Sequence, residues 1–111
     1  FGLPGDLSSP SRFVRSAYVL HHTPQGDERE SVSRFFHILD IAMQPEGCVM
    51  DGGKFQKTLY SCCCNTDKGI YYYTTCHNRQ ITAVDMHKTD LDSRELSLFP
   101  PVTQMEIRWM N

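Results

Sequence analysis

The residues best placed to do chemistry are two arginines behind a run of small polar residues. In FGLPGDLSSPSRFVR, Phe1 to Arg15, the residues Gly2, Pro4 and Gly5 punctuate the chain into tight turns, and Asp6, Ser8 and Ser9 can cap a helix by accepting hydrogen bonds from its free N–H groups. Pro10 follows where φ is already helical and a missing N–H does no harm. Arg12 and Arg15 then share one helix face. An arginine near a helix start lies in the positive end of the dipole, so it either serves another group there or pairs with Asp6 one turn back. Its permanently charged, forked guanidinium suits a carboxylate or steadies a thiolate.

Other chemistry-bearing residues are more dispersed. Cys62, Cys63 and Cys64 are consecutive, with Cys48 and Cys76 outlying, so the 5 cysteines are odd in number and do not form a fully paired disulfide framework. Adjacent strand residues point to opposite faces, and three adjacent thiols cannot converge on one partner. They read as reduced, half-buried thiols. A zinc site at Cys76, His77 and His87 is the alternative, without the paired C-x-x-C spacing such sites use. Asp85 and His87 flank Met86 on one face of a strand and read as a solvated edge pair. Tyr71, Tyr72 and Tyr73 are either core packing or a binding platform, and His37 reads as a structural histidine. There is no G-x-S-x-G, P-loop or H-E-x-x-H, and Gly2 and Gly5 make no dinucleotide loop.

The elements that must position these groups follow from periodicity. Phe13, Val14, Ala17 and Tyr18 form an apolar stripe that predicts a first helix from about Pro10 to Leu20, with Arg12, Arg15 and Ser16 off the stripe. The polar segment His21 to Glu30 is a surface connection. Val32, Phe35, Phe36, Leu39, Ala42 and Met43 predict a second helix from Ser31, as N-cap, to about Met43, ended by Pro45 and Gly47. After a loop over Cys48 to Gly53 the period becomes two. Lys54 to Asn65, Ile70 to Cys76 and Gln80 to Met86 predict an antiparallel three-strand meander, turned at Asn65–Gly69 and His77–Arg79. Asp90 to Glu95 reads as a turn, and Leu96 to Phe99 as a fourth short strand stopped by Pro100 and Pro101. Residues 100–111 have no predicted place. Two helices followed by strands is an α+β order. Both sheet faces are mixed and its edges open, so further strands and a further layer are expected from polypeptide outside these 111 residues.

The whole chain sets outer limits. Its length fits one domain or a piece of one. A formal charge of −2 gives no electrostatic reason to expect nucleic acid. No apolar run approaches the roughly 20 residues that cross a bilayer, and no signal peptide is visible. A start at Phe1, inside a loop, reads as a processed chain or a fragment.

The blocks GLPGDLSSPSRFVR (Gly2–Arg15), SVSRFFHIL (Ser31–Leu39), TLYSCCCNTDKGIYYY (Thr58–Tyr73) and ITAVDMH (Ile81–His87) resemble the C-terminal third of choloylglycine hydrolases, the family of bile salt hydrolases and penicillin V acylases. The resemblance covers nearly the whole chain and leans towards the bile salt hydrolase branch. It implies the four-layer αββα fold of N-terminal-nucleophile hydrolases, here as a single C-terminal segment over residues 1–111. It also implies hydrolysis of a linear amide by an N-terminal cysteine whose own α-amino group moves the proton. Aspartate, asparagine and arginine side chains around that cysteine position the thiolate and stabilise the oxyanion. Members are cytoplasmic bacterial homo-tetramers and need neither cofactor nor metal.

Of those catalytic residues, the resemblance maps one, the arginine of the S-R-F block, onto Arg12, with Arg15 as second choice. The nucleophile and its partners belong to the upstream portion. Phe1 carries no nucleophile, and none of the five cysteines matches the catalytic one, so the 111 residues alone are expected to be inactive. The expected partners are a conjugated bile salt or other acyl-amide substrate and that upstream portion, with no nucleic acid and no membrane. The alternatives are a penicillin V acylase and a non-catalytic α+β binding module.

Overall fold

A computed structural model describes residues 2–111; Phe1 lies outside the described residues. The chain divides into two compact units at Thr58/Leu59.

The first unit is built on two helices. Helix α1 spans Ser9–His22. Ser8 is its N-cap and accepts from Ser11 N at 3.4 Å, and Pro10 sits in the first turn. The last turn carries His21 and His22, and Thr23 leaves the helix in extended conformation just before Pro24. Helix α2 spans Glu28–Ile41. It begins ahead of Ser31 because Asp27 and Glu30 form a reciprocal capping box: Glu30 N donates to Asp27 Oδ1 at 2.8 Å, and Asp27 N donates to Glu30 Oε2 at 3.2 Å. Ser31 is therefore a helical residue, not the cap, and its hydroxyl donates to Gly26 O at 3.3 Å. The helix stops at Ile41, with Ala42 as C-cap.

The predicted strand over Lys54–Asn65 is divided. Its first residues belong to a small hairpin of β1 (Met50–Asp51) and β2 (Lys54–Phe55), in which Asp51 pairs with Lys54. The loop is Gly52-Gly53, both with positive φ (56° and 78°), the requirement of a type I′ turn whose twist suits two paired strands. Gln56 N then donates to Val49 O, and Thr58 N to Gln44 O, so this arm runs back along the residues that follow α2.

The second unit is an antiparallel three-strand meander, β3 (Tyr60–Asn65), β4 (Ile70–Thr75) and β5 (Asn78–Asp85), in that order. Tyr72 pairs with Cys63 on one side and Ala83 on the other. Gly69 closes the first hairpin at φ 67°, the left-handed position expected of it. Asn78 opens β5 instead of lying in the turn. Asp85 does not continue a strand into His87. The backbone tightens into a 3₁₀ turn, Met86–Lys88, capped by Asp85, whose Oδ1 accepts from His87 N at 2.9 Å.

Leu96–Phe99 is not a strand; the chain beyond the 3₁₀ turn has no regular structure. It is tied down at Val102: Tyr73 Oη accepts from Val102 N at 3.1 Å, and Asn78 Nδ2 donates to Val102 O at 3.2 Å. Asn78 is 2 % exposed and its remaining groups are also used, with N donating to Thr75 Oγ1 and Oδ1 accepting from Gln80 N. Among the described residues only Phe36 and Cys63 are buried apolar side chains. The apolar stripe of α1 is open: Phe13 is 75 % exposed, and Val14 and Tyr18 are exposed too.

Candidate active site

The side of α1 that is covered is its polar side. Ser11 is buried and Arg12, Arg15 and Ser16 are half-buried. The segment ahead of them is ordered by one carboxylate. Asp6 Oδ1 accepts from Ser8 N and Oδ2 from Ser11 Oγ, both at 2.8 Å. These bonds from Ser8 and Ser11 hold the Asp6 carboxyl down at about 2, so it is ionised at neutral pH and offsets the positive end of α1.

Arg12 does not pair with Asp6. Its Nη1 donates to the Ala42 carbonyl oxygen at 2.8 Å and its Nη2 to Ser9 Oγ at 3.2 Å. Arg15 instead turns back to the loop, with Nη2 donating to Asp6 O at 3.3 Å. The Nε atoms of both arginines are buried without a partner. Arg12 thus spends two of its five N–H donors on fixed oxygens and keeps others on the same terminal nitrogens. Such a guanidinium is immobilised yet still able to receive an anion, which is the form in which a charged group stabilises developing charge without reorganising.

The residues after α2 complete the arrangement. Gln44, 8 % exposed, donates from Nε2 to Leu7 O at 3.3 Å, while its backbone exchanges two hydrogen bonds with Thr58. Sequence reading singled out neither Ala42's carbonyl nor Gln44. A polar residue between an apolar helical stripe and Pro45 was the available signal.

The remaining candidates fall elsewhere. His37 is exposed and lines a small cleft of about 270 Å³ with Tyr18, His22 and Arg34. Asp85 is a cap for the turn that contains His87. Tyr71 and Tyr73 share one sheet face, with ring centroids 6.0 Å apart, and line an apolar cleft of about 690 Å³ with Leu59, Tyr60, Leu98 and Phe99; Tyr72 points to the other face. A hydrogen bond to Cys62, with burial adding to it, pushes the Tyr71 hydroxyl up to about 12. All five cysteines are free thiols, and burial pushes the Cys63 thiol up. Among the described residues no group of three or more His, Cys, Asp or Glu side chains is assembled to hold a metal ion, so Cys76, His77 and His87 do not form the alternative zinc set. No described helix is long and apolar enough to cross a membrane.

Residues 1–99 match the model of the linear amide C–N hydrolases, choloylglycine hydrolase family. The chain belongs to this family. It is 50 % identical over 101 residues to a bile salt hydrolase/transferase of Lactiplantibacillus plantarum, covering 89 % of this chain and 31 % of that protein. A bile salt hydrolase/transferase of Clostridium perfringens is 37 % identical over 113 residues, 99 % of this chain and 34 % of that protein. The fold of a mutant conjugated bile acid hydrolase from Clostridium perfringens superimposes with a TM-score of 0.84 at 34 % identity, over 99 % of this chain and 34 % of that one. Penicillin V acylase from Agrobacterium tumefaciens shares the fold, with a TM-score of 0.69 at 20 % identity over 80 % of this chain and 29 % of that one. The α+β arrangement of two helices and antiparallel sheets is thus a choloylglycine hydrolase one, and the chain spans about a third of the length of the relatives it matches.

Proposed function

We propose that residues 1–111 are one C-terminal segment of a bile salt hydrolase, and that Arg12 is its contribution to the active site. The observation that carries this reading is the Arg12 guanidinium, fixed on Ala42 O and Ser9 Oγ with donors to spare, in a member of an amide hydrolase family. The nucleophile would be an N-terminal cysteine of the upstream polypeptide. Its thiolate attacks the amide carbonyl of a conjugated bile salt, the C–N bond breaks, and glycine or taurine leaves with a proton delivered by the cysteine's α-amino group. Arg12 holds the thiolate and the charge that develops beside it. Water resolves the resulting thioester; an amine in place of water would give the transfer reaction that the relatives' name includes.

By itself the segment is inactive, because it brings the arginine without the nucleophile. The free cysteines accord with a cytoplasmic enzyme, and a homo-tetramer is the expected assembly. A stand-alone binding module is disfavoured by the few apolar side chains that the described residues bury.

The test is hydrolysis of glycocholate, taurocholate and penicillin V by the full-length polypeptide, with Arg12→Ala beside it. Release of glycine or taurine faster than penicillin V cleavage, and its loss in a folded Arg12→Ala variant, are expected. Preference for penicillin V would overturn the substrate class, and unchanged turnover in Arg12→Ala would overturn the role of Arg12.

A further inference from the structure

The loop before α1 and the Arg12 guanidinium are both anchored on the few residues that follow α2. Ala42 O accepts from Arg12 Nη1 at 2.8 Å, and two residues later Gln44 Nε2 donates to Leu7 O at 3.3 Å. Leu7 directly precedes Ser8, the N-cap, and Arg12 N donates to Ser8 O at 3.0 Å. Displacing Leu7 therefore displaces the cap on which the first turn of α1, and with it Arg12, is built.

Gln44 is unlike a residue kept for packing. It is 8 % exposed, and its Oε1 is buried without a partner, a cost that an apolar side chain of the same size would avoid. Its backbone is clamped by Thr58: Gln44 N donates to Thr58 Oγ1 and Gln44 O accepts from Thr58 N, both at 2.9 Å. The side chain thus projects from a fixed base. Leu7 O can only accept, so the amide must present its nitrogen there.

We propose that Gln44 is a positioning residue for Arg12: its amide pins Leu7, so that the cap and the guanidinium keep one geometry relative to Ala42. This rests on the reading of Arg12 as catalytic. The hydrogen bond, not the volume of the side chain, is the working part.

In the full-length enzyme, Gln44→Met keeps the volume and removes the donor, and Gln44→Glu keeps the shape and turns an acceptor towards an acceptor. Both should lower kcat roughly tenfold, the scale of a sub-ångström misplacement of a catalytic group, with KM for the conjugated bile salt little changed. In an Arg12→Ala background, Gln44→Met should lower kcat no further. Should Gln44→Met melt below the assay temperature, Gln44→Asn, one methylene too short to reach Leu7, reads the same quantity. Wild-type kcat in Gln44→Met, or the same loss repeated in the Arg12→Ala background, overturns the inference. Full turnover in Arg12→Ala alone overturns the reading of Arg12 and this inference together. A loss in Arg12→Ala with none in Gln44→Met overturns this inference only.

Discussion

Arg12 Nη1 donates to the Ala42 carbonyl oxygen at 2.8 Å, across 30 residues of sequence. That oxygen belongs to the C-cap of α2, where carbonyls lack partners within their own helix. The first turn of one helix is thus tied to the C-cap of the other by a charged donor.

Replacing Arg12 should separate stability from turnover. Arg12→Ala in the full-length enzyme is expected to cost about 2 kcal/mol of stability, the scale of hydrogen bonds made by a charged group, and to lower kcat roughly 10²-fold or more, as removal of a preorganised charge donor does. Arg12→Lys retains the charge but not the fork, and it should fail in turnover while melting near wild type. Thermal unfolding and steady-state kinetics on the same preparations decide it; a large fall in melting temperature accompanying each loss of activity would reduce Arg12 to a structural role.

Asp6 gives the segment an acid limit. Its carboxyl ionises at about 2 in the folded chain against an ordinary 3.8, held down by bonds from Ser8 and Ser11. The unfolded chain therefore binds more protons in this window, and stability rises with pH through it. The contribution is complete above about pH 4 and is lost as pH falls through 2. Denaturant melts at stepped pH should show a smaller loss between these limits for Asp6→Asn than for wild type; parallel curves would refute this.

Asn78 is the buried link between the meander and the chain at Val102. Asn78→Ala removes the bond to Val102 O and strands Gln80 N, and should cost about 2 kcal/mol. Tyr73→Phe removes only the acceptor for Val102 N and should cost less. Faster hydrogen exchange at Val102 N in both variants would confirm the clamp, whereas unchanged exchange would dismiss it.

Gly69 needs its missing Cβ. At φ 67° an alanine is strained, and its Cβ would lie 2.6 Å from Met86 Sδ. Gly69→Ala should cost about 1–2 kcal/mol. Adding Met86→Ala should recover the steric part and leave the backbone part. Equal melting of Gly69→Ala and wild type would contradict both.

The three adjacent thiols should differ in reactivity. Cys63 is buried and its thiol is pushed up, mainly by burial, whereas Cys64, Cys48 and Cys76 are exposed. Iodoacetamide labelling followed by peptide mass mapping should modify Cys63 last of the five. Early modification of Cys63 would show that β3 opens readily.

What the sequence determined by itself is the local structure. The first helix, the three strands and the Asn65–Gly69 turn arise from contacts a few residues apart, and the period of apolar residues reports them directly. Even two of the misjudged points, the Asp27–Glu30 box that starts α2 and the Gly52-Gly53 turn that divides the predicted long strand, were written locally as D-x-x-E and D-G-G-K. Choloylglycine hydrolase membership was legible for a different reason, since it rests on blocks of residue identity. What only tertiary structure decided is which groups meet. A stripe of Phe13, Val14 and Tyr18 states what could be buried, not what is present to cover it, and here the polar side of α1 is the covered one. Arg12 meets Ala42 across 30 residues and Gln44 meets Leu7 across 37, and no local rule encodes an encounter whose partners are brought together only when two helices and a hairpin arm close on one another.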